Sequence, residues 1–447
     1  MNTRRSFIRR SFLTAGTLSL SSFFKKSLAE DVKNALVEIN RLSPQEAAQN
    51  EELWARIQQA YTSSTGIINL NNGGVSPQPK VVQDAANRYY TYCNEAPSYY
   101  MWRLLDQGRE PLRAKLAHMA GCSPDELAIN RNTTEAINTV IFGLDLKAGD
   151  EVVLTKYDYP NMINAWRQRE RRDGVVLKWL DFDLPIGSDE GVVEKFRAAI
   201  TPKTKVFHIT HMINWTGHIM PAKALCALAR EHGIHSIVDG AHTFGHMDFK
   251  IPDLGCDYFG TSLHKWLCAP FGTGMLYIRK EKINQVWPLL ASPENQQDNI
   301  RKFENIGTRS FAIEQAIGSA IDFHQAIGSA RKEARLQYLK KYWTEPVKDL
   351  SKVRFYTSSN EQQSRALFNF GIEGMDAGPV HNWLFRNYKI HTSPIKWEKV
   401  NGVRITPHVY TRLYELDKLI EATHGLIRGR YNAKQLCLTP TTKFGST

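Results

Sequence analysis

A chain of 447 residues, 42% hydrophobic and 23% charged, has ordinary globular composition and suffices for one large domain plus a smaller one. Its formal charge of +12 is concentrated at the start: six Lys and Arg and no acid fall in residues 1–29, leaving +6 for the rest. A surplus that small over so long a chain excludes a nucleic-acid footprint.

Residues 1–29 open basic, continue apolar and small, and reach Ser27-Leu28-Ala29, a small-residue cleavage site. Arg4-Arg5 and Arg9-Arg10 are each followed by Ser-Phe and an aliphatic residue, which resembles a twin-arginine export signal. The apolar run from Phe12 to Phe24 is too short, and too rich in Ser, Thr and Gly, to span a membrane. The expectation is a periplasmic protein that meets the twin-arginine translocase during export. Cys93, Cys122, Cys226, Cys256, Cys268 and Cys437 form no C-x-x-C pair, so zinc and thioredoxin-like chemistry are disfavoured and no metal is expected. A periplasmic destination permits disulfides without specifying their pairing.

Residues 30–66 read as an N-terminal helical segment, in which Ser43 caps, Pro44 takes the first helical position and Glu46 completes a capping box. From Ile67 to Leu70 a strand runs into the polar turn Asn71-Asn72-Gly73-Gly74. From Leu127 strands and helices alternate: strand Leu127–Asn130, a helix from Thr133, strand Glu151–Thr155, helix Asn161–Arg172 and strand Val175–Leu180. Helix Val192–Ile200, strand Lys205–Thr210 and helix Pro221–His232 continue the pattern. Repeated βα units predict an α/β fold with a mostly parallel sheet wrapped by helices. Arg131-Asn132-Thr133-Thr134-Glu135 joins a strand to a helix, and exposed amides and hydroxyls at a helix start can cradle a phosphate.

The stretch Gly233–Arg279 organises the rest. Ile234 to Val238 is a short apolar run bounded by Gly233 and Gly240, the pattern of a buried parallel strand. Asp239 stands at its carboxyl end, where open α/β sheets place ligand chemistry. A second strand, Asp257 to Gly260, delivers Ser262, His264 and Lys265. A carboxylate and a lysine at neighbouring strand ends are what pyridoxal 5'-phosphate requires. The amine condenses with the cofactor aldehyde, and the aspartate holds a proton on the pyridine nitrogen.

VDGAH followed by SLHKWLCAP resembles the class V aminotransferase family of fold type I enzymes, in particular its isopenicillin N epimerase branch. The resemblance covers roughly residues 67–425 and implies a large domain over 67–310, a smaller α+β domain over 311–430 and a tail over 431–447. It implies that Thr133, Thr134, Ser262 and His264 hold the cofactor phosphate, and that Tyr159 lays its ring over the pyridine. Asn214 and His242 would approach the ring oxygen, and the turn at Asn72 would lie near the substrate. Thr308, in Gly307-Thr308-Arg309, would reach the phosphate of a partner subunit, which implies a homodimer with a shared active site. Arg404 would grip the substrate carboxylate, which suits a guanidinium fork. Phe311–Lys341 reads as one long helix leading to strands Val353–Tyr356 and Ala366–Phe370 and helix Gly378–Asn387.

Lys265 and Asp239 are thus the expected catalytic pair, acting at the α-carbon of an amino acid or amino-acid-containing peptide. Returning the proton to the other face makes an epimerase, moving it to the cofactor makes an aminotransferase, and ejecting a β-substituent makes a lyase. These share a first step, so residue types leave them open. A cysteine desulfurase needs a nucleophilic cysteine before the substrate arginine, and none lies between Cys268 and Cys437. A non-catalytic cofactor- or amino-acid-binding protein is the reading from another class, disfavoured by the presence of both Lys265 and Asp239.

Overall fold

Short β-branched and aromatic runs, separated by amphipathic helices, dictate a sheet buried on both faces. The computed structural model describes residues 29–429. Both arginine pairs and the tail with Cys437 lie outside the described residues. After β1 (Ile68–Asn69) come seven strands of one sheet: β2 (Leu127–Asn130), β3 (Glu151–Thr155), β4 (Val176–Leu180), β5 (Thr204–Thr210), β6 (His235–Asp239), β7 (Tyr258–Ser262) and β8 (Gly274–Ile278). Their order is β2-β8-β7-β6-β5-β3-β4. The run from β4 to β7 is parallel, and β8 is antiparallel to both its neighbours. The sequence reading passed over β8. It follows β7 with no crossover helix between them, and a connection of that kind returns the chain antiparallel.

Side chains alternate between the faces, as a strand period of two requires. Val153, Phe207, Ile209, Val238 and Phe259 join one core, while Val152, Leu154, Val206, Ile237 and Tyr258 join the other. Gly240, just past β6, has no room for a side chain: a Cβ would come 1.9 Å from the Phe259 ring. That close approach tucks the Asp239 turn against β7.

The remaining strands are β9 (Val353–Phe355), β10 (Phe368–Ile372), β11 (Ile390–His391), β12 (Ser393–Trp397) and β13 (Val400–Ile405). Four of them form an antiparallel sheet in the order β12-β13-β10-β9, and β11 pairs in parallel with β1. Two expectations are corrected here. The strand placed at Ala366–Phe370 runs over Phe368–Ile372, because the Ala366 N–H is taken by His246 Nε2 at 3.2 Å instead of by a strand. The long helix Phe311–Lys341 is two helices, Phe311–Ile327 and Ser329–Thr344, broken at Gly328 with φ of +91°.

A buried ion pair fixes the start of the phosphate-cradle side. Arg113, fully buried, donates to Glu304 Oε1 at 2.5 Å and Oε2 at 2.8 Å, and to the Leu127 carbonyl at 2.7 Å. Glu304 Oε1 also accepts the Ile129 N–H at 2.5 Å. The pair therefore clamps β2 just before the turn that carries Thr133. Removing Glu304 leaves buried Arg113 with only the exposed Glu110 carboxylate at 3.1 Å, so Glu304→Ala should lose about 3 kcal/mol of stability. Urea unfolding measures this, and a loss under about 1 kcal/mol would show that β2 does not depend on the pair.

Candidate active site

Five strands of the large sheet end on one side, and their carboxyl ends deliver the chemistry. β6 ends in Asp239, β7 leads to Ser262, His264 and Lys265, and β5 leads to Asn214. β3 leads to Tyr159, and β2 leads to Thr133 and Thr134. From the small sheet, β13 contributes Arg404. These nine side chains, with His242, Gly73 and Gly74 among others, line one cavity of about 300 Å³.

At one end, the helix Thr133–Gly143 points its N-terminus into the cavity, capped by Asn132 Oδ1 accepting from the Glu135 N–H at 2.9 Å. Thr133 N–H donates to Ser262 Oγ at 2.9 Å, and the two hydroxyls lie 2.8 Å apart. His264 Nδ1 lies 3.0 Å from the Thr273 carbonyl, and burial beside Lys265 holds its ring at about 4. A neutral imidazole and three hydroxyls at a helix N-terminus make a donor set for a phosphate dianion.

At the centre, buried Asp239 accepts the Ala241 N–H at 2.9 Å. Burial pushes its carboxyl up, opposed by that N–H and by His208 and Lys265. Lys265 is half-buried, with Nζ 3.4 Å from His242 Nε2. Its amine is lowered to about 8, first by burial and then by Arg404, against the attraction of Asp239. Its neutral fraction therefore rises as pH climbs through about 8. Burial, with Lys265 and Arg404 nearby, holds His242 well below the usual histidine range.

At the other end, Arg404 is lowered to about 10 by burial yet stays charged. Its Nη1 donates to the Asn214 carbonyl at 3.0 Å and its Nη2 to Asn71 Oδ1 at 3.0 Å. Asn214 Oδ1 is buried without a hydrogen-bond partner, so the Asn214 amide has capacity left for a ligand.

This donor set fits pyridoxal phosphate: an anion cradle, a central carboxylate for a ring nitrogen, an amine of lowered basicity, and an amide with unspent capacity. Two expected residues lie elsewhere. Asn72 does not line the cavity, although Gly73 and Gly74 of its turn do. Its Nδ2 donates to the Thr406 carbonyl at 2.7 Å, and its Oδ1 accepts from Tyr410 Oη at 2.6 Å, so it is spent on holding the turn. Thr308 is exposed and lies outside the cavity of its own chain. The sequence reading missed Asn71, one residue from Asn72, and Trp266, whose indole N–H donates to His242 Nδ1 at 3.4 Å.

A mostly parallel sheet that presents lysine and aspartate at neighbouring strand ends, beside a small antiparallel sheet carrying arginine, is the fold type I scaffold of pyridoxal-phosphate enzymes. The aminotransferase class-V family model matches residues 68–394, and the chain belongs to that family of pyridoxal-phosphate-dependent enzymes. An isopenicillin N epimerase of Amycolatopsis lactamdurans is 29% identical over 388 residues, spanning 83% of this chain and 97% of its own. A probable cysteine desulfurase of Halalkalibacterium halodurans is 30% identical over 325 residues, spanning 69% of this chain and 78% of its own. Among solved structures, an apo cysteine desulfurase from Thermococcus onnurineus NA1 superposes with a TM-score of 0.71 at 25% identity, covering 81% of this chain and 95% of its own.

Charge-assisted hydrogen bonds contribute about 1.5–3 kcal/mol each. Ser262→Ala is therefore expected to weaken cofactor retention by roughly ten- to a hundredfold, read by equilibrium dialysis. Retention within about twofold of the parent would remove Ser262 from the cradle.

Proposed function

We propose that the enzyme epimerises the α-carbon of an amino acid or amino-acid-containing peptide. One observation carries this reading: two proton-carrying groups, Lys265 after β7 and Tyr159 after β3, line one cavity on opposite flanks of Asp239. In the strand order, β7 lies on one side of β6, and β5 and β3 lie on the other. Epimerisation requires a proton removed from one face and another supplied to the opposite face. The isopenicillin N epimerase relatives, matched over almost their whole length, support the same reading.

Pyridoxal phosphate, when bound, withdraws electrons from the substrate α-carbon and so acidifies its C–H bond. Thr133, Thr134, Ser262 and His264 hold the phosphate, and Thr308 of a second copy completes the cradle in a homodimer. Asp239 holds the proton on the ring nitrogen, while Asn214 and His242 approach the ring oxygen. The Arg404 fork, braced by Asn71, grips the substrate carboxylate and fixes which faces of the α-carbon meet the two proton carriers. Lys265 Nζ takes the α-proton, and Tyr159 Oη supplies one to the other face. For the L- and D-substrates the two groups exchange roles.

Persulfide chemistry by a cysteine nucleophile has no support in this cavity. None of the five described cysteines lines it, and Cys268, three residues from Lys265, is buried with Sγ 3.4 Å from His408 Nε2.

The test is incubation with L- and D-amino acids in heavy water. α-Deuteration with inversion is expected; a keto acid would make the enzyme an aminotransferase, and β-elimination products would make it a lyase. Tyr159→Phe should slow inversion by about 10²–10⁴-fold while Lys265 continues to exchange the α-hydrogen with retention. Inversion at the parent rate in that variant would exclude Tyr159 as the second proton carrier.

The export reading belongs to the same proposal, since the twin-arginine route carries proteins already folded around a cofactor. Replacing Arg4, Arg5, Arg9 and Arg10 by lysine should leave the precursor in the cytoplasm. An undiminished periplasmic level, measured by cell fractionation, would rule out that route.

A further inference from the structure

Trp266 follows the reactive lysine directly, is fully buried, and does not line the cavity. Its indole stacks on His246, with centroids 3.7 Å apart and planes at 18°, and lies 5.6 Å from His408 at 19°. The Trp266 carbonyl accepts from the ammonium of buried Lys332. Three elements therefore fix the direction of one polar atom, the indole N–H, which points at His242 Nδ1 at 3.4 Å.

An indole N–H only donates, so His242 Nδ1 must accept and carry no proton. The ring is also neutral, because it is buried and faces Lys265 and Arg404, with His246 behind it. A neutral imidazole without a proton on Nδ1 carries it on Nε2. Nε2 is the atom 3.4 Å from Lys265 Nζ. Lysine thus meets a donor, which an uncharged amine accepts through its lone pair and an ammonium cannot. His246 is fixed in the same way: its Nε2 accepts the Ala366 N–H at 3.2 Å, so its Nδ1 donates to the His242 carbonyl at 2.9 Å.

We propose that Trp266 is a positioning residue that, through His242, sets an N–H against Lys265 and so favours the neutral amine. The inference rests on Lys265 being the reactive lysine and goes beyond the epimerase reading, since it concerns the protein before any substrate binds. The charged and titratable groups around Lys265 are Asp239, which favours the ammonium, Arg404, which opposes it, and the rings of His242 and His264. Asp239 and Arg404 are unchanged by a substitution at Trp266, so the tautomer of His242 is what that substitution releases.

The experiment uses the full chain stripped of cofactor, pulse-acetylated across pH, with the extent at Lys265 read by peptide mass spectrometry. Trp266→Phe keeps the stacked ring and removes the donor, letting His242 turn an unprotonated nitrogen towards the lysine. The midpoint of Lys265 acetylation should rise by about one pH unit, which is about tenfold less neutral amine below the midpoint. A role in packing alone would lower thermal stability without moving the midpoint, and a midpoint unchanged or lowered in the folded variant overturns the proposal. Should the variant not fold, the parent protein decides. In its 15N-histidine spectra, the ring that responds to Lys265→Ala should be protonated at Nε2 and bare at Nδ1, and a proton on Nδ1 overturns the proposal. Borohydride treatment of the loaded enzyme separates the two levels of the argument. Cofactor trapped on another lysine overturns the functional reading and this proposal together, whereas cofactor on Lys265 with an unshifted midpoint overturns the proposal alone.

Discussion

The site depends on one constraint: an amine, a carboxylate and a guanidinium must share one cavity. Moving any of these charges out of water alone is expensive. Asp239 and Lys265 offset part of that cost for each other, whereas Arg404 adds to it for the lysine, and each of the three is displaced from its ordinary titration in the direction that burial dictates. The amine is the group that yields. A guanidinium lowered to about 10 remains a cation at neutral pH, whereas an amine lowered to about 8 is divided between its two forms. Arginine at 404 and lysine at 265 are therefore not interchangeable, because only the lysine reaches an uncharged form near neutral pH.

That constraint explains why the sheet is built as it is. The side chains that need burial sit at strand ends, where both backbone and flanking helices are already ordered by the two cores. Asp239 is held by Gly240, whose missing side chain lets the Phe259 ring close over the turn. Thr133 is held by β2, which the Arg113–Glu304 pair clamps from below. Neither Phe259 nor Glu304 touches the cavity, yet each fixes a residue that does.

The sequence made the strands before the site legible because local signals agreed there: apolar runs of strand length, glycine at their ends, and polar residues at helix starts. β2 and β3 have the bounds their patterns predict, and Asn132 caps the helix that begins at Thr133. β8 carries the same kind of apolar run but follows the Lys265 loop without a helix, and its direction depends on pairing rather than on pattern. Asn71 and Asn72 are chemically identical neighbours, and only the fold decides which faces Arg404 and which faces Tyr410. Trp266 was invisible for a related reason. A tryptophan beside the lysine reads as core, and its polar edge acquires meaning only when His242 is brought to it from a different strand end.

Arg404 shows how the two sheets become one site. It stands on β13, yet its fork is held by the Asn214 carbonyl from the end of β5 and by Asn71 from the turn after β1. Beside it, Trp215 of the large-sheet loop stacks on Trp397 of β12, with centroids 5.3 Å apart and planes at 19°. Asn369 of β10 donates to the Trp215 carbonyl at 2.9 Å. The small sheet is thus tied to the large one at the point where a substrate carboxylate would be gripped. A shift of either sheet would break the arginine's bonds before it opened either core, because the cores are close-packed and the bonds are few. The position of the Arg404 fork relative to Lys265 is set by how the two sheets meet, and under the proposed function so would be the face of the α-carbon offered to the lysine.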